Sequence, residues 1–70
     1  MALVRSEIAG SVWKIEVSVG QSVAEGDVLI ILESMKMEIP VEAPSAGVVQ
    51  VLHVAGGDPV KEDQLLVTLG

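Results

Sequence analysis

Seventy residues without a cysteine make one domain, residues 1–70, with a small core and no disulfide or thiolate metal site to reinforce it. Ten acidic side chains against four basic ones leave a formal charge of −6, which argues against nucleic acid or an anionic membrane surface as a partner. Half of the residues are hydrophobic, mostly Val, Leu, Ile and Ala with one Trp and no Phe or Tyr, and that bias favours strands.

In chain order, Met1–Glu7 lacks the basic start and long apolar stretch of a signal peptide, and no apolar run approaches the length of a membrane span. Cytoplasm is the expected location. Residues 3–8 read as a first strand. A strand from Ser11 to Val19 follows, with Trp13, Ile15, Val17 and Val19 expected on one face and Lys14, Glu16 and Ser18 on the other. Trp13 is therefore expected to pack at the rim or in the core. Gly20-Gln21 is a turn, Val23 a very short strand, and Glu25-Gly26-Asp27 a second turn. Val28–Leu32 is a continuous apolar run of strand type. Glu38–Ala43 is a further strand, and Pro40 within it marks an edge. Ala43–Gly47 reads as a turn. Val48–Ala55, a short strand at Val60 and Leu65–Leu69 complete the chain, with Asp63 suited to a left-handed turn position.

The last third repeats the first. Shifted by 37 positions, residues 10–32 fall on 47–69 without a gap and with eight identities, among them Gly10 with Gly47, Gly20 with Gly57 and Leu29 with Leu66. Two such short copies cannot stack as a solenoid. They are expected to form the halves of one all-β, flattened barrel-sandwich of two four-stranded antiparallel sheets, related by a pseudo-twofold axis.

Between the copies lies Glu33-Ser34-Met35-Lys36-Met37-Glu38, flanked by strands on both sides. The two strands make a hairpin with Met35-Lys36 at its tip. A two-residue hairpin loop demands positive φ, which Asn-Gly or Gly-X supply and Met-Lys does not. Local rules broken inside an otherwise consistent sequence mark functional or strained places. A lone lysine with a long apolar neighbour on each side is presented to something. Nothing nearby reads as a base that would make the amine a nucleophile. Activation of Lys36 therefore falls to another protein.

Glu33-Ser34-Met35-Lys36-Met37 closely resembles the Glu-Ala-Met-Lys-Met signature of biotin carboxyl carrier domains, with Ser34 in place of the usual Ala. The resemblance covers nearly the whole chain, and small free-standing bacterial biotin carriers are similar to it. It implies the barrel-sandwich already read from the repeat, covalent biotin on Lys36, and no catalysis by the carrier. It also implies that a biotin protein ligase and partner enzymes recognise Glu33, Ser34, Met35 and Met37. The implied working partners are a biotin carboxylase and a carboxyltransferase, as subunits or domains. Some carriers of this kind have an extra loop, or thumb, for which the gapless repeat leaves no room. A lipoyl carrier shares the fold but places Asp before the lysine and Ala after it. An unmodified barrel-sandwich used for assembly is the remaining rival. His53 is the only histidine, so neither a zinc site nor a catalytic triad is expected.

Overall fold

The computed structural model describes all residues, Met1–Gly70. It holds eight strands: β1 (Ala2–Arg5), β2 (Gly10–Ile15), β3 (Ser22–Val23), β4 (Val28–Ser34), β5 (Met37–Glu42), β6 (Gly47–Leu52), β7 (Pro59–Val60) and β8 (Leu65–Leu69). They form two four-stranded antiparallel sheets, ordered β1-β8-β6-β3 and β5-β4-β2-β7. Each sheet borrows its short strand from the other half of the chain, so the halves interlock. Val4, Val12, Leu29, Ile30, Leu32, Val49, Leu66, Val67 and Leu69 fill the space between the sheets.

The repeat governs the hydrogen bonding in detail. Val12 receives the Gly57 N–H on its carbonyl (2.8 Å) and donates to Asp58 (2.8 Å); its counterpart Val49 receives from Gly20 (2.7 Å) and donates to Gln21 (2.9 Å). Asp63 N–H donates to the Ser6 carbonyl (2.7 Å), and Gly26 N–H to the Ala43 carbonyl (2.9 Å). Ser6 and Ala43 are also 37 apart. The structure thus extends the repeat to residues 1–33 on 38–70, adding the identities Val4 with Val41 and Ala9 with Ala46. Gly20, Gly26, Gly57 and Asp63 all take positive φ, as turn chemistry requires of these residue types. Asp27 and Asp58 cap their turns by accepting from the Ala24 and Ala55 N–H groups.

Several strand limits and one face differ from the sequence reading. β2 ends at Ile15, since Val17 to Gly20 leave the ladder and Gly20 turns to Val49. β6 likewise stops at Leu52, and β4 continues past Leu32 to Ser34. β1 ends at Arg5, where Ser6 turns its hydroxyl onto the Ile8 carbonyl. The Trp13 expectation fails. Val12 pairs with Leu32 but Lys14 pairs with Ile31, so Trp13 is an extra residue in β2. This β-bulge reverses the alternation. Val12 and Ile15 point inward, and Trp13 stands 50% exposed on the outer face. Gln50 is the extra residue at the equivalent place in β6, and Leu29 and Leu66 are extra in β4 and β8. The Leu29 and Leu66 bulges let two successive residues, Leu29-Ile30 and Leu66-Val67, face the core together.

Candidate attachment site

β4 and β5 run in register to the pair Ser34–Met37, leaving Met35-Lys36 as a two-residue tip. Met35 has φ 52° and Lys36 φ 65°. A hairpin loop with both central residues at positive φ twists with its strands, which explains why the backbone accepts the conformation there. For residues with a Cβ it costs about 1–2 kcal/mol each. Asp63 is the one other non-glycine residue at positive φ, and its side-chain type tolerates the conformation. Met35 and Lys36 hold it with no such help. The strained left-handed pair is the structural counterpart of the broken turn rule.

Met35 is 92% exposed and Met37 65% exposed, so neither belongs to the core. Lys36 is exposed, and the molecule's one ion pair joins Lys14 to Glu16 (3.5 Å) elsewhere. Glu33 and Glu38 lie directly opposite each other in the strands that carry the tip. Like charges so placed destabilise a sheet by about 0.2–1 kcal/mol. Glu33, Ser34, Met35, Lys36 and Met37 are therefore brought together at one hairpin end, with only Ser34 half-buried.

Sequence reading missed what lies behind Ser34. A Cβ at Gly10 would fall on the carbonyl oxygen of Glu33 and 3.3 Å from the Ser34 Cβ. Gly10 thus lets β2 press against the base of the tip. The repeat held the signal: Gly10 aligns with Gly47, whose added Cβ would lie 2.6 Å from the Gly70 carbonyl. His53 is not part of the site; its Nε2 lies 2.8 Å from Thr68 Oγ1 on the other sheet.

The exposed amine, free of ion pairing, on a two-residue turn fits covalent attachment of an acyl group. The biotin/lipoyl family model, described as "Biotin-requiring enzyme", matches residues 3–69. A "Biotinylated protein TB7.3 homolog" of Mycobacterium leprae is 47% identical over 66 residues, covering 94% of this chain and 93% of that protein. A "Biotin carboxyl carrier protein" of Streptococcus mutans is 42% identical over 60 residues, 86% of this chain and 46% of that protein. Among solved structures, the urea carboxylase of Kluyveromyces lactis superposes with a TM-score of 0.94 at 36% identity, over 99% of this chain and 6% of that enzyme. Fold, tip and likeness agree, and the chain belongs to the biotin/lipoyl family.

Proposed function

We propose that the chain is a biotin carboxyl carrier whose Lys36 is the attachment residue. The observation that carries this reading is Lys36 at positive φ on an exposed two-residue tip, in a chain of this family. Lys36 Nζ attacks the activated carboxyl carbon of biotin inside a ligase, an amide forms, the activating group leaves and the amine's proton passes to a base of the ligase. When bound, biotin supplies a ring nitrogen that takes up and releases a carboxyl group. The chain itself supplies position. The two-residue turn has no slack, so Lys36 projects from a fixed point while its four-carbon stem remains free to swing. Tethering turns the second encounter, at a carboxyltransferase, into an intramolecular one, worth an effective concentration in the mM range for a short flexible link.

Met35 and Met37 offer flexible apolar contacts on either side of the amine, suited to re-packing against more than one enzyme surface. A lipoyl carrier would place a carboxylate before the lysine, and Met35 carries none. The partners on this reading are a biotin protein ligase, which reads Glu33, Ser34, Met35 and Met37, and a biotin carboxylase with a carboxyltransferase. The expected setting is the cytoplasm, where ATP and bicarbonate are at hand; no helix is long and apolar enough to cross a membrane. Co-expression with a biotin ligase tests the reading. Avidin should retain the wild-type chain and fail to retain Lys36→Arg. Retention of both would put the attachment elsewhere.

A further inference from the structure

We propose that the outer face of the β5-β4-β2-β7 sheet, centred on Trp13, is the surface on which the biotin ligase docks while it acylates Lys36. This rests on the reading of Lys36 above. The strand register places the outward residues in rows across the sheet. Nearest the tip lie Glu38, Glu33 and Ser11, then Pro40, Ile31 and Lys14 with the bulged Trp13, and then Glu42 and Val28, with Glu16 just beyond β2. Exposed Pro40 and Trp13, with half-buried Ile31 between their strands, thus lie between carboxylates, and Lys14, the one cation among these rows, is held 3.5 Å from Glu16.

The pseudo-twofold axis supplies an internal control. Strands β1, β3, β6 and β8 contain no Asp or Glu at all. Glu42 corresponds to Arg5, Glu16 to His53, Glu33 to Gly70 and Trp13 to Gln50. The fold therefore requires neither the carboxylates nor the indole. They occur on the face that ends in the tip lysine, where carboxylates outnumbering the one cation, Lys14, around an exposed aromatic suit a basic partner with an apolar pocket.

Geometry selects the ligase as occupant. An unmodified lysine can react only if the enzyme approaches to within its own side chain, so the enzyme must cover the barrel beside the tip. The Pro40–Ile31 row lies four to five residues from Lys36, roughly 13–17 Å at about 3.3 Å per residue. A standard interface of about 800 Å² per partner reaches roughly 16 Å from its centre, far enough to include that row.

The test is steady-state biotinylation of the 70-residue chain by a bacterial biotin ligase with ATP, over a range of NaCl concentrations. Trp13→Gln copies the residue that fills the equivalent bulge, so the fold has a precedent for it. It should raise KM for the carrier about tenfold with kcat little changed. The double variant Glu16→Gln/Glu42→Gln should flatten the salt dependence of kcat/KM, and Gln50→Ala on the opposite face should be silent. A KM for Trp13→Gln within about twofold of wild type, or an equal loss in Gln50→Ala, overturns the docking surface and leaves Lys36 as the attachment residue. No labelling of the wild-type chain overturns both.

Discussion

The two halves of the chain are the same object in their interiors and different objects at their surfaces. Leu29 and Leu66 sit at matching bulges, Val12 and Val49 make matching crossed hydrogen bonds, and Gly10 and Gly47 permit matching close approaches. Outside, Glu42 stands where the other half has Arg5, and Glu33–Glu38 faces solvent where the other half has the chain ends. Ser34 to Met37 has no counterpart. What occurs twice is what the barrel needs, and what occurs once is a candidate for use. The comparison separates Lys36 from Lys14 and Lys61 without appeal to any relative: Lys14 is ion-paired on a strand, Lys61 lies in a turn built twice, and Lys36 crowns the one segment built once.

The largest effect expected from breaking this asymmetry is at Lys36. Lys36→Arg should remove biotin labelling altogether while thermal unfolding stays cooperative at an unchanged midpoint. A lowered midpoint would make Lys36 a structural residue.

Core substitutions should be symmetric. Leu29→Ala and Leu66→Ala are each expected to cost about 2–5 kcal/mol in urea unfolding, and by similar amounts, because both side chains are fully buried at equivalent bulges. A large difference between them would mean that the halves are not energetically equivalent.

Glycine substitutions combine symmetry with asymmetry. Gly10→Ala and Gly47→Ala should each destabilise by about 1–3 kcal/mol, since the added methyl meets backbone carbonyl oxygen. Only Gly10→Ala should also slow biotinylation, because the oxygen it meets belongs to Glu33 at the base of the tip. Equal labelling rates in the two variants would remove Gly10 from the support of the site.

The smallest effect is a gain. Met35→Asn keeps the turn and relieves left-handed strain, and is expected to stabilise by up to ~1 kcal/mol while lowering the rate of biotinylation. A loss of stability would show that Met35 contributes packing that its exposure does not suggest.

Much of this was legible in the residues. Apolar runs, turn residues and the 37-residue offset carried the all-β barrel-sandwich and its pseudo-symmetry, and the misfit of Met35-Lys36 with hairpin chemistry located the tip. The bulges were not legible. A bulge leaves composition and local propensity unchanged and shows only as a slip in pairing between distant strands, so Trp13 was read onto the wrong face. Nor was the role of Gly10, because a close backbone approach depends on which strand lies alongside. The Ser6 turn, which ends β1 early, rests on Ser6 donating to the Ile8 and Gln64 carbonyls and accepting from the Asp63 N–H on its own carbonyl.

The central claim is that one lysine of three carries the function. Peptide mapping by mass spectrometry of the chain labelled to completion by a biotin ligase tests it most directly. The account predicts a single biotinyl adduct, on the peptide containing Lys36, and unmodified peptides containing Lys14 and Lys61. An adduct on Lys14 or Lys61, or an unmodified Lys36 in a fully folded chain, would contradict it.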